Sequence, residues 1–205
     1  KLVGLVPTMG SLHKGHLSLV ERALGENEQV IVTIYVNPTQ FNDINDLKQY
    51  PRNLESDIDK LRDYKNIFIY SPTDKDLYQE VVSKNYDLDN LDKILEGKYR
   101  PGHFNGVATI VEKLFTIFNP NNAYFGEKDF QQLSIIKTMV KKLSISVNII
   151  SCETIREADG LAMSSRNKNM TTEERLIAGE INKFMLKVKE IYKNTKIDKV
   201  PVNII

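Results

Sequence analysis

Between residues 2 and 150, short apolar runs alternate with segments whose apolar residues recur every three or four positions. Residues 2–6, 30–36, 67–70, 123–125 and 145–150 are dense in Val, Ile, Leu and aromatic side chains and predict strands. The periodic segments predict helices. Residues 16–24 place Leu17, Val20 and Leu24 on one face. Residues 57–64 form a shorter helix. Residues 107–118 carry Ile110, Val111, Leu114, Phe115 and Phe118, and 131–143 carry Leu133, Ile136, Val140 and Leu143. The strands are continuously apolar rather than alternating, which is the mark of a parallel sheet covered on both faces. The expected fold class is therefore α/β: a doubly wound, Rossmann-like parallel sheet.

The pattern changes near residues 153–156. Residues 156–170 are polar, with one glycine and several serines, and predict a functional loop. Thr171 and Glu174 have the spacing of a capping box and open a long helix. Its apolar positions, Ile177, Ile181, Phe184, Val188 and Ile191, form a stripe that needs a partner surface. Residues 200–205 are β-like. The expected organisation is a domain over 1–154 and the incomplete beginning of a smaller one over 155–205.

Composition narrows the class. The 205 residues hold enough apolar material, 41%, for a sizeable core. No apolar stretch is long enough to span a bilayer, and Lys1 leads straight into a strand rather than a signal peptide. Lys and Arg number 28 against 27 Asp and Glu, a balance that argues against a nucleic-acid partner. The single cysteine, Cys152, lies in an apolar run and is expected to be a buried, inert thiol. These features fit a cytoplasmic protein.

Candidate chemistry gathers where strands end. Met9, Gly10, Ser11, Leu12, His13, Lys14, Gly15 and His16 connect the first strand to the first helix, at the sheet edge where ligands bind. The glycines admit a phosphate to the backbone, the helix N-terminus favours an anion, and two imidazoles can donate to phosphate oxygens. A capping loop with incidental histidines is the plainer alternative, which the His-x-Gly-His spacing makes less apt. Gly126, Glu127, Lys128 and Asp129 again link a strand to a helix. There Lys128 suits a phosphate and Asp129 a ribose, and Gln132 lies one turn on; an ordinary charged helix start explains them equally well. Met163, Ser164, Ser165 and Arg166 offer hydroxyls and a guanidinium to a polyphosphate, or form a solvated linker. Asn37 and Gln40 follow the second strand and can read a hydroxyl or carboxylate; Asn-Pro is also a common turn. The segment from Glu96 to Phe104 is a fifth candidate, or a turn set by Pro101 and Gly102.

Taken in order and spacing, the segments PTMGSLHKGH, YVNPTQF, YPR, LEGKYRPGHFNGVATIVEKLF, YFGEKDFQQL and READGLAMSSRN closely resemble the pantothenate synthetase family. The resemblance runs from Val3 to Asn167. The His-x-Gly-His element alone marks only the wider nucleotidyltransferase superfamily. The resemblance implies an ATP-dependent ligase that joins pantoate to β-alanine through a pantoyl adenylate and releases AMP and pyrophosphate. It implies that Met9 to His16 line the ATP phosphates, with His16 as proton donor beside His13. Lys128 and Arg166 are further catalytic groups. Gly126 to Asp129, the backbone of Ile155, and Met163 to Arg166 hold ATP, the last as a mobile loop over the triphosphate. Gln40 and Gln132 bind pantoate, and Gln40 also β-alanine. Asp57 is implied as the Mg2+ ligand, next to Ser56 where some members carry another carboxylate. The family further implies a homodimer, with Glu96 to Phe104 and the following helix as interface candidates, and residues 155–205 as the start of a C-terminal lid. The rival readings are an adenylyl- or cytidylyltransferase, a class I aminoacyl-tRNA synthetase fragment, and a nucleotide-binding module without catalysis.

Overall fold

The computed structural model describes residues 1–194, so the β-like segment expected at 200–205 lies outside the described residues. In chain order the elements are β1 Val3–Thr8, α1 Lys14–Glu26, β2 Gln29–Ile34, α2 Ile44–Gln49, α3 Leu54–Leu61, β3 Ile67–Tyr70, α4 Asp74–Leu77, α5 Leu95–Tyr99, α6 His103–Phe118, β4 Asn122–Gly126, α7 Phe130–Lys142, β5 Asn148–Cys152 and α8 Thr172–Asn194. The chain divides into two compact units, Lys1–Thr154 and Ile155–Ile205.

In the first unit the strands form one parallel sheet in the order β3-β2-β1-β4-β5. The sheet is buried on both faces because successive strand residues point opposite ways. Leu5, Ala123 and Phe125 join α6 and α7 in one core cluster. Val6, Val30, Val32, Tyr124 and Cys152 join Leu19, Val20 and Ala23 of α1 in the other. The strand order reverses between β1 and β4, so a crevice opens at their carboxyl ends.

Several boundaries move from their expected places. Strand β1 runs on to Thr8 through Pro7, since Pro7 pairs in register with Thr33 of β2 while the ladder to β4 is made at Gly4 and Leu5. Helix α3 starts at Leu54 because the Asn53 side chain accepts the Ser56 N–H and caps it. Strand β5 begins at Asn148 rather than 145. Ser144 takes a left-handed φ of 53°, and the Ile145 and Val147 side chains pack on the core just after α7 instead of entering the sheet. Helices α2, α4 and α5 are short, polar, and carry no periodic stripe to announce them.

The second unit holds α8 and the segment before it. That segment is more structured than its polarity predicts. Arg156 bridges Ala162, Glu157 N–H donates to Leu161 O at 2.8 Å, and Met163 N–H donates to Ile155 O at 2.9 Å. Gly160 turns the chain at a φ of +89°, where a Cβ would stand 2.3 Å from the Asn182 amide. Asp159 pairs with the Arg175 guanidinium of α8. The expected capping box is present: Thr171 N–H donates to Glu174 Oε2 at 2.8 Å, and Glu174 N–H to Thr171 Oγ1 at 3.2 Å. Ile177, Ile181 and Phe184 are exposed. Among the described residues no helix is long and apolar enough to cross a membrane.

Candidate active site

The loop after β1 is built by turning its backbone N–H groups inward. Thr8 Oγ1 donates to Thr33 O at 2.7 Å and accepts Gly10 N–H at 3.2 Å. Asp57 Oδ2 accepts Ser11 N–H and Asp57 Oδ1 accepts Leu12 N–H, both at 2.7 Å. His16 Nδ1 accepts His13 N–H at 3.3 Å, and His13 Nδ1 accepts Gly15 N–H at 3.1 Å. The histidines are thus a reciprocal capping box for α1, a place usually held by Ser, Thr and Glu. The N–H groups of Gly10, Ser11, Leu12, His13 and Gly15 are thereby engaged within the loop itself.

The two imidazoles still offer donors of their own. A neutral imidazole whose Nδ1 accepts a hydrogen bond carries its proton on Nε2. His13 and His16 therefore each hold an Nε2–H donor at a fixed angle, their rings 4.0 Å apart. Burial, then the neighbouring His13 and Lys128, pushes the His16 pKa down to about 3. His16 is neutral at pH 7 and can work as an N–H donor. The charge of Lys128 reaches His16, so the turn after β4 lies within electrostatic range of the loop after β1. Lys128 lies in the 3-10 turn Glu127–Asp129, 3.3 Å from the Asp129 carboxylate, with Gly126 ending β4 before it. Lys14 and the Glu127–Asp129 side chains are exposed, and α1 carries no acidic residue in its first turn to repel an anion.

Strand β2 delivers a second cluster. Asn37 caps the 3-10 turn Pro38–Gln40, accepting Thr39 N–H at 3.4 Å. Its Nδ2 donates to Gln40 Oε1 and to Gly106 O, each at 3.1 Å, while its Oδ1 accepts the Tyr78 hydroxyl at 2.8 Å. Gln40 Nε2 reaches Met9 Sδ at 3.0 Å, which joins this turn to the β1 loop. The Gln40 carbonyl lies 2.6 Å from His103 Nδ1. A carbonyl only accepts, so the neutral His103 carries its proton on Nδ1, and burial lowers its pKa. Helix α6 comes so close that a Cβ at Gly106 would stand 2.2 Å from Thr39 O. Glu96 pairs with Arg100, and Arg100 Nη2 approaches Gln40 O at 3.5 Å.

Gln132 sits half-buried in the first turn of α7. Its neighbour Gln131 serves the fold, donating to Leu91 O and Ile94 O. Phe104 is buried in the core and belongs to its own helix's stripe, not to an interface; Tyr99 is exposed. Asp57, expected as a metal ligand, is buried, with both oxygens accepting backbone N–H groups and Lys60 at 3.6 Å. Among the described residues no cluster of three or more His, Cys, Asp or Glu could hold a metal ion. A cavity of about 280 Å³ opens beside Gly10 and Asp57, walled also by Arg52, Thr73 and Asp74. Tyr78 and the roles of Asn37 and His103 were not legible from sequence, since an amide or phenol does not reveal its partner.

Ile155, Met163, Ser164, Ser165 and Arg166 lie in the second unit. There Ser164 Oγ accepts Arg166 N–H at 3.3 Å and caps the 3-10 helix Ser165–Asn169, while Asn167 Nδ2 donates to Ala162 O at 3.0 Å.

Three comparisons agree with this geometry. The family model described as pantoate-beta-alanine ligase matches residues 1–203. The pantothenate synthetase of Flavobacterium psychrophilum is 52% identical over 194 residues, 94% of this chain and 69% of the relative. That of Phocaeicola vulgatus is 50% identical over 188 residues, 91% of this chain and 67% of the relative. The Thermus thermophilus pantothenate synthetase superposes with a TM-score of 0.90 at 42% identity, covering 95% of this chain and 71% of that one. The Francisella tularensis pantoate-beta-alanine ligase, solved with beta-gamma ATP and beta-alanine, gives 0.84 at 46% identity over 90% of this chain and 71% of that one. The chain thus spans about two thirds of the length of these relatives. It belongs to the pantoate-beta-alanine ligase family, whose reaction produces pantothenate.

Proposed function

We propose that this chain performs its family's ligation through a pantoyl adenylate assembled at the crevice between β1 and β4. A pantoate carboxylate oxygen attacks the α-phosphorus of ATP. The bond to the β-phosphate breaks and pyrophosphate leaves. The β-alanine amine then attacks the acyl carbon, the bond to the phosphate oxygen breaks, and AMP leaves as the amine gives up a proton to solvent. The observation that carries this reading is the pair of imidazoles whose Nδ1 atoms each accept a backbone N–H, with His16 buried, neutral and within the electrostatic reach of Lys128. Charge grows on phosphate oxygens in the transition state, and fixed N–H donors and an ammonium stabilise it without reorganising.

The remaining roles follow position and chemistry. Gln40, its amide held by Asn37 and Met9, binds pantoate and then β-alanine, with Gln132 as the second pantoate ligand. Asp129 and the Ile155 backbone take the ribose and adenine, Gly126 to Lys128 the nucleotide's phosphates. Met163 to Arg166 act as the closing loop that shields the mixed anhydride from water. The Francisella complex supports ATP and β-alanine as ligands. The one-cysteine chain, its thiol buried and its pKa raised by burial, suits the reducing cytoplasm. A homodimer is the expected assembly, with exposed Leu95 and Tyr99 as its nearest candidates after Phe104 is set aside.

Mg2+ is the family's expected companion to ATP. Both Asp57 oxygens already accept backbone N–H groups, and no further pair of His, Cys, Asp or Glu residues joins Asp57 in a metal-holding group among the described residues. No step is assigned to a metal on these residues. The test is pyrophosphate release from ATP. A pantoate-dependent burst without β-alanine, and steady turnover with it, is the expected result; release that ignores pantoate would overturn the reading.

A further inference from the structure

The loop that carries His13 and His16 has a carboxylate in its centre. Asp57 reaches it from α3 and accepts one N–H from Ser11 and one from Leu12, each at 2.7 Å. These are the adjoining peptide groups just before the cap residue His13. Hydrogen bonds to an ionised acceptor are the stronger kind, and here they are buried. The loop is shaped around this carboxylate. Gly10 has a φ of +81°, and a Cβ there would stand 2.9 Å from Asp57 Oδ2 and 3.1 Å from Ile34. Ser11 also has a left-handed φ of 51°, an unfavourable conformation for a non-glycine residue that its contacts must hold in place.

Lys60, one turn along α3, stands 3.6 Å from Asp57 Oδ1 and balances its charge. No other carboxylate, histidine or thiol completes a metal set among the described residues. The two oxygens thus each have a peptide N–H as their nearest partner, with the Lys60 ammonium at 3.6 Å as the cation beside them.

We propose that Asp57 is a positioning residue for adenylate formation: it clamps the Ser11 and Leu12 amides and so fixes the angle at which His13 and His16 present their Nε2–H donors. This rests on the proposed adenylation at the same site. It differs from the metal-ligand role that the family resemblance implies for this carboxylate. The clamp also explains why this loop, unlike a glycine-rich phosphate loop, meets its anion with side chains. An internal carboxylate already fills the hollow that backbone N–H groups would otherwise offer to a phosphate.

The test uses the full chain and has two arms. In the first, the Ser11 and Leu12 amide resonances are followed by NMR without nucleotide. In the wild type they are shifted downfield, protected from exchange, and unmoved by adding MgCl2. Asp57→Asn, which offers one acceptor oxygen and an opposing NH2, speeds their exchange while the melting curve stays cooperative. In the second arm, single-turnover adenylation by Asp57→Asn falls roughly a hundredfold, as expected of a displaced donor pair. The Mg2+ concentration for half-maximal rate stays as in the wild type. The proposal is overturned if the wild-type amides shift with Mg2+ alone. It is equally overturned if the variant's half-maximal Mg2+ rises about ten- to a hundredfold and excess Mg2+ restores its rate, as for a lost metal ligand. The wild-type amide measurement needs no variant, so it decides the clamp even if Asp57→Asn does not fold. Absence of pantoate-dependent pyrophosphate release by the wild type would instead count against the adenylation reading, and the amides would still decide the clamp.

Discussion

The turns after β1 and β2 lie side by side at one sheet edge and use histidine in opposite senses. After β1, His13 and His16 accept backbone N–H groups on Nδ1, which leaves Nε2 as the donor atom of each ring. After β2, the Gln40 backbone is held from outside by the Nδ1–H of His103, and its amide is set by Asn37. In the first region the histidine is the tool and the backbone its mount. In the second the histidine is part of the mount and a glutamine is the tool. The difference matches the ligands. Phosphate oxygens want N–H donors, whereas a small hydroxy acid and an amine want a group that both donates and accepts, as an amide does.

The sharpest way to break this comparison is to remove one of the imidazole donors. His16→Ala is expected to lower single-turnover adenylation roughly a hundred- to a thousandfold, with melting still cooperative, since one transition-state donor is lost. Near wild-type adenylation would take His16 out of the chemistry. The second region should respond differently. Asn37→Ala frees the Gln40 amide and strips the Tyr78 hydroxyl of its acceptor. The pantoate KM should rise roughly tenfold or more, the effect of losing a buried hydrogen-bond partner. Steady-state kinetics in pantoate would show it, and a fall in kcat alone would merge the two regions into one.

The smallest expected effect is on stability against pH. The His16 pKa stands at about 3 in the fold against 6.5 unperturbed, so the neutral form is favoured in the folded state. A depressed folded pKa means that its contribution is present above 6.5 and is lost progressively as pH falls toward 3. The buried His103 shifts in the same direction. Urea midpoints should therefore decline between pH 6.5 and about 5, and His16→Gln should flatten part of that decline. An unchanged slope in the variant would indicate that folding leaves the His16 pKa where it stands in the unfolded chain.

The sheet and its covering helices were legible because the chemistry behind them is local. A continuous apolar strand such as 30–36 has to be buried on both faces, and a stripe such as Leu133, Ile136 and Val140 has to face it. Helices α2, α4 and α5 were not legible, being short and set by caps such as Asp43, which accepts Asn45 N–H at 2.7 Å. The site residues were visible by type and place but not by orientation. His13 and His16 could be placed at a strand end, yet their use as caps depends on backbone angles that only the folded loop fixes. Asp57 could be aligned with a family position, while its partners lie 45 and 46 residues away in sequence. Phe104 looked like an interface anchor because an aromatic side chain reads the same in a core and in a contact.

The central claim is that the loop after β1 engages its own backbone N–H groups and faces the nucleotide with imidazole Nε2–H donors. Two-dimensional NMR of 15N-labelled histidine side chains at pH 7 tests it most directly. The predicted result is His13 and His16 in the Nε2–H form and His103 in the Nδ1–H form. A His16 signal from an imidazolium, or from the Nδ1–H tautomer, would contradict it.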